Sequence, residues 1–198
     1  MNQTIITIGR QFGSGGREIG KRLAKKLDIP YYDKELLAKA AKDSGLCTDY
    51  LEERDERSTN SLLYSFVMGT RNLTGQPSLE ELVWKAQRDA VESAARQGGC
   101  VIVGRCADVI LKAYPNLLRV FLLADEDQRI AHVSQRDGIT PQEAAAKIRW
   151  VERSRAAHYH SVTDQKWGQA KNYDLCLNVS RLGKAHTLEL ILKAAEAV

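Results

Sequence analysis

A short apolar run that empties into four glycines constrains this chain more than any other feature. The segment TIITIGRQFGSGGREIGKRLAKKL begins almost at the first residue. Residues 4–8 are mostly β-branched and read as a strand, while Ile19, Leu23 and Leu27 recur at helical spacing. Between the two stand Gly9, Gly13, Gly15 and Gly16. Glycines let the backbone fold tightly and turn several N–H groups on one point, and the helix that follows adds the positive end of its dipole. A polyphosphate suits that geometry. A turn that merely joined a strand to a helix would need fewer glycines.

Two phosphate-binding templates compete for the loop. The dinucleotide fingerprint G-x-G-x-x-G aligns Gly13 and Gly15 but puts Glu18 at its third glycine; Asp33 lies about 20 residues on, where that fold carries its ribose-binding acid. The template G-x-x-x-x-G-K-[ST] fails too, because no lysine follows Gly15 or Gly16. Arg17 is the nearest cation. It stands in the first turn of the helix, where the dipole disfavours positive charge unless an anion is bound there.

The rest of the chain alternates strands with helices. Residues 31–32, 100–103, 117–123 and 175–179 read as strands. Gly98 and Gly99 end a helix that Ser78 and Glu81 start with a capping box. A helix with Leu36, Leu37, Ala40 and Ala41 follows Asp33, and Asp125 caps another. Thr140, Pro141 and Glu143 start the next, and residues 184–197 form a closing helix. This alternation implies a five-stranded parallel sheet in a three-layer α/β/α domain, residues 1–198. Residues 4–8 belong near its centre, since they show no polar alternation. A helical excursion at about 46–97 and a short lid at about 136–166 are expected to depart from that core.

Composition narrows the function. Hydrophobic residues make up 43% and charged residues 27%, as one buried core requires. No apolar run approaches the ~20 residues of a membrane span, and the N-terminus lacks the basic and apolar regions of a signal peptide, so a cytoplasmic protein is expected. Cys47, Cys100, Cys106 and Cys176 form no CxxC pair; Cys100 and Cys176 sit in apolar runs and read as small hydrophobes. His158 and His160 are two apart and do not share a helix face. Trp150 and Trp167 read as packing residues. The net charge of +4 does not argue for nucleic acid. Arg129, Arg136, Arg149, Arg153 and Arg155, however, fall in one stretch, as an anion-handling surface would require.

Four segments together, GRQFGSGGREIG, PYYDKELL, VIVGRCADVIL and YDLCLNVS, resemble the cytidylate kinase-like family of P-loop kinases over nearly the whole length. The resemblance implies a P-loop kinase fold, ATP as phosphoryl donor, Mg²⁺, and a nucleoside monophosphate (CMP or dCMP first) or a related small acceptor. Gly13, Ser14, Gly15, Gly16, Arg17 and Glu18 would hold the ATP phosphates, with Arg17 in place of the lysine. Ser14, Glu18 and Asp33 become candidate Mg²⁺ ligands, directly or through water. Arg149, Arg153 and Arg155 would close over the transferring group. Asp33, Arg105 and Asp174 would face the acceptor.

The chain departs from the family pattern in two places. Gly104-Arg105-Cys106 keeps the arginine of a Gly-Arg-Asp stretch and loses its acid, and Lys34-Glu35 replaces the usual Thr-Gly or Ser-Gly. Taken alone, Asp33 could cap the helix after it, and the lid arginines could be a solvated face paired with Glu152. An ATP-binding regulator with little turnover is the second reading, and an NAD-binding oxidoreductase the third. The oligomeric state is open.

Overall fold

The computed structural model describes residues 4–33 and 79–198. The expected helix with Leu36, Leu37, Ala40 and Ala41, residues 46–78 of the excursion, Cys47 and Ser78 lie outside the described residues. In chain order the elements are β1 (Ile5–Arg10), α1 (Gly16–Leu27), β2 (Tyr31–Tyr32), α2 (Leu79–Arg96), β3 (Cys100–Val103), α3 (Ala107–Ile110) and β4 (Leu117–Leu123). Then come α4 (Glu126–Asp137), α5 (Pro141–Thr163), β5 (Leu175–Asn178) and α6 (Val179–Ala195).

The strands form one parallel sheet in the order β2-β3-β1-β4-β5, so β1 is central. Its register runs Ile5 opposite Cys100 on one side and Leu117 on the other. Both faces of β1 are covered. Ile6 and Ile8 pack with Ile19 and Leu23 of α1 and Ile191 of α6, whereas Ile5 meets Val91 of α2 and Leu111. That two-sided burial is why the strand is apolar without alternation. Each Ile or Leu so buried contributes about 1.5–3 kcal/mol.

Local signals held at several helix ends. Thr140 Oγ1 accepts from the Glu143 backbone N–H at 3.3 Å while Glu143 Oε2 accepts from the Thr140 N–H at 2.8 Å. Asp125 behaves differently from its expected role. Its side chain makes no cap bond and accepts instead from Asn178 Nδ2 at 3.0 Å, tying the ends of β4 and β5 together. α6 begins at Val179 rather than 184, because Asn178 Oδ1 caps it, and it breaks at Gly183, where φ is 71° and ψ 159°. Regular helix resumes with Lys184.

The stretch expected as a short lid includes a 23-residue helix, α5, that buries Ala144, Ile148, Val151 and Tyr159. Likewise α2, expected as part of the excursion, buries Ala90, Val91, Ala94 and Ala95 in the core. Cys100 and Cys106 are buried, but Cys176 is exposed on the edge strand, which corrects its core reading. Trp167 packs edge-on against Phe121 at 5.4 Å between centroids, whereas Trp150 is 41% exposed on α5.

Candidate functional site

The carboxyl ends of all five strands open on one edge of the sheet. β2 and β3 lie to one side of β1 and β4 and β5 to the other. Chain connections therefore diverge at β1, where a parallel sheet leaves its crevice. Asp33 follows β2, Gly104 and Arg105 follow β3, Ala124 follows β4, and the glycine loop follows β1.

The loop is braced from three directions. Gln11 donates its N–H to Leu122 O at 2.9 Å and accepts through Oε1 from the Ala124 N–H at 3.0 Å. Ser14 Oγ donates to Gln11 O at 2.9 Å. Glu152 Oε1, from α5, accepts from the Phe12 N–H at 3.1 Å and from Arg129 Nη1 at 2.7 Å, and Arg129 Nε donates to Ala124 O at 3.0 Å. Arg129 thus works as a buried strut, and Arg136 pairs with Asp137 at 2.6 Å and lies over the Phe12 ring. Arg129 is therefore committed to bracing the loop, while Arg136 stays exposed beside Asp137 and Phe12.

Gly13 has φ 85°, and a Cβ there would sit 3.0 Å from the Arg129 carbonyl oxygen. Gly13→Ala is expected to cost about 1–2 kcal/mol from the left-handed backbone alone. A thermal melt of the variant measures that loss, and an unchanged Tm would contradict it. Gly13, Ser14 and Gly15 line an open cavity of about 260 Å³ with Gln128, Ser180 and Lys184.

On the β2–β3 side, guanidinium groups gather around one buried carboxylate. Asp33 accepts from Arg17 Nε at 2.5 Å and lies 3.8 Å from Arg10 Nη2. The Arg10 guanidinium packs directly over Gly104. Burial, with Arg10 beside it, pushes the Arg105 guanidinium down to about 10. Arg155 Nη1 donates to Arg10 O at 3.1 Å, which brings α5 to the same place. The backbone at Arg105 and Cys106 is left-handed in succession, with φ 61° and 52°, and Gln87 Nε2 holds the Arg105 carbonyl at 3.2 Å. Consecutive non-glycine residues in that region store strain of the kind that clusters at ligand sites.

The model of the cytidylate kinase-like family covers residues 5–181. The chain belongs to the cytidylate kinase-like family. It is 26% identical to a cytidylate kinase of Methanopyrus kandleri over 96% of this chain and 92% of that protein. A second cytidylate kinase, from Methanobrevibacter smithii, is 22% identical over 98% and 99%. Among solved structures, a protein from Eubacterium ventriosum superposes with a TM-score of 0.77 at 28% identity, covering 99% of both chains. A gluconokinase from Sinorhizobium meliloti shares the fold at TM-score 0.56 and 14% identity, over 99% of this chain and 95% of that one.

The residues expected from the family resemblance divide into two groups. Gly13, Ser14 and Gly15 line the cavity, Arg17, Asp33, Arg105 and Arg155 gather with Arg10 at the end of β1, and Gly16 is buried against Arg10. Arg149 and Arg153 do not join them, being exposed on the outer face of α5. Arg155 differs because it continues the inward stripe of Ile148, Val151 and Tyr159. Asp174 is also elsewhere. It precedes β5, at the opposite end from the crevice, and accepts from Arg119 Nη2 at 2.6 Å and from the Arg119 backbone N–H at 2.8 Å. Arg17 turns to Asp33 and away from the glycine loop.

Ser14, Glu18 and Asp33 do not present a Mg²⁺ site in this arrangement. Asp33 faces two guanidiniums, Glu18 accepts from Lys184 and from Arg22 at 2.6 Å, and the Ser14 hydroxyl is turned to Gln11 O. No group of three His, Cys, Asp or Glu among the described residues could hold a metal ion.

Two contributors to the candidate site and one brace for α5 went unread in the sequence. Arg10 is the last residue of a buried strand, and Lys184 follows a helix-breaking glycine; both positions carry a local signal. Asp108 stands two residues past the place of the missing acid, but it is buried and accepts from Tyr159 Oη at 2.7 Å. Burial pushes its carboxyl above the usual range, although the Tyr159 hydroxyl acts the other way. It anchors α5 to α3 rather than facing a ligand.

Proposed function

We propose that the chain is an ATP-dependent phosphotransferase of the nucleoside-monophosphate kinase type, with CMP and dCMP the first acceptors. The observation that carries this reading is the division of the crevice by β1. The glycine loop and its cavity lie toward β4 and β5, and Arg10, Arg17 and Arg105 lie toward β2 and β3. A triphosphate on the loop and an anionic acceptor on the arginines would meet at the end of β1. An acceptor phosphate oxygen then attacks the γ-phosphorus while the bond to the bridging oxygen of ADP breaks. Such transfer depends on positioning and charge neutralisation, which Gly13–Gly15 backbone and the arginines supply. The similarity to two archaeal cytidylate kinases supports a cytidylate acceptor. No described helix is long and apolar enough to cross a membrane, in keeping with a cytoplasmic setting.

The test is a panel of nucleoside monophosphates and small alcohols with Mg²⁺-ATP, scored as ADP release above the acceptor-free rate. Stimulation by CMP or dCMP is the expected result. ATP binding with no stimulation by any acceptor would favour the regulator reading, which the absence of a loop lysine supports. Arg105→Ala should then raise the acceptor KM roughly ten- to hundredfold, the equivalent of one charge-assisted hydrogen bond of about 1.5–3 kcal/mol. ATP affinity should stay unchanged, as for a residue that holds one substrate only.

A further inference from the structure

We propose that Lys184, from the last helix, is the cation that takes the ATP phosphates, and that Glu18 holds it until nucleotide arrives. The inference rests on the ATP reading above and adds to it the source of the missing charge. The loop itself has no room for a lysine after Gly15. The next residue is Gly16, and a Cβ there would lie 2.8 Å from Arg10 Cβ and 3.0 Å from Arg10 Cγ. Arg17, one residue later, is committed to Asp33 at 2.5 Å on the far side of β1.

Lys184 comes from the other direction. It lines the same cavity as Gly13, Ser14 and Gly15, and its Cε lies 3.3 Å from where a Gly15 Cβ would be. Gly183, with φ 71°, breaks the helix so that Lys184 starts a fresh turn. Positive charge is disfavoured in a first turn unless an anion stands near it. Glu18 is that anion now, through an ion pair with Lys184 Nζ. Both side chains are 39% exposed, so the pair is weakly held and exchangeable. Glu18 also keeps Arg22 at 2.6 Å, so it retains a partner once Lys184 moves to phosphate. The ammonium thus trades a carboxylate for a phosphate without leaving the cavity.

Calorimetric titration of ATP with Mg²⁺, and of adenosine, into wild type, Lys184→Met, Lys184→Arg and Glu18→Gln tests this. Lys184→Met should weaken ATP roughly ten- to hundredfold, as expected for a lost charge-assisted contact, and leave adenosine binding unchanged. Lys184→Arg should recover most of the affinity, and Glu18→Gln should tighten ATP by freeing the lysine. Unchanged ATP affinity in Lys184→Met would overturn the assignment while the ATP reading stood. Equal loss of ATP and adenosine would also overturn it, by showing a structural role. A wild-type protein that bound neither would instead sink the phosphotransferase reading, and this inference with it.

Discussion

Replacing Asp33 with alanine is expected to cost about 3–5 kcal/mol of folding stability, the usual result of removing one partner from a buried ion pair. Much of that loss should return when inorganic phosphate is added. Asp33 is 6% exposed and pairs with both Arg10 and Arg17. Burial already works against the charge on Arg10, and Asp33 is the largest influence opposing it. Without the carboxylate, Arg10 and Arg105 repel one another at the end of β1. A phosphate ion bound there would act as the missing anion and stabilise the native state by mass action. Denaturant melts with and without phosphate measure both effects. A variant as stable as wild type would show that the carboxylate is dispensable. A destabilised variant that phosphate fails to rescue would mean the arginines do not form an anion site.

Tyr159→Phe should cost about 2–3 kcal/mol at neutral pH, because it leaves a buried carboxylate short of its hydroxyl partner. For a chain of this size that corresponds to a fall in Tm of roughly 5–10 °C. The effect depends on pH, with a definite sign. Burial raises the Asp108 pKa in the fold, so the folded state binds the proton more tightly than the unfolded chain. That contribution to stability is full below the unfolded value of about 4 and is lost as pH rises through the raised folded value. Tyr159 donates to Asp108 and holds that rise in check, so its removal raises the pKa further. The cost of Tyr159→Phe should therefore grow from acid to neutral pH. Asp108→Asn should abolish that growth, because an amide does not titrate. A cost independent of pH between about 4 and 8 would show that Asp108 is not the group involved.

Much of the fold, and the place of the candidate site in it, could be read along the chain wherever the signal was local. Glycine count, β-branching and helix period identified β1, the loop and α1, since each depends on neighbours a few residues apart. The Thr140–Glu143 capping box is local in the same sense. Arg105 was legible because a residue just past a buried strand of a parallel sheet falls at the crevice. Even Arg155 could have been separated from Arg149 and Arg153 by the phase of α5, as it lies seven positions after the buried Ile148.

What the tertiary structure alone decided is which charges face each other. Lys184 meets Glu18 across 166 residues of sequence separation, and Arg155 reaches Arg10 across 145. Arg17 read as a phosphate ligand from its place in the loop, yet the sheet order sets Asp33 within its reach and turns it away. Asp174 read as an acceptor contact from its place before the last strand, yet the parallel register puts it level with Arg119, at the wrong end of the sheet. Secondary structure follows from steric and apolar preferences that act within a few residues, so the chain carries it openly. Electrostatic pairing acts across space over a few ångströms, and only the packed sheet determines which residues lie that close.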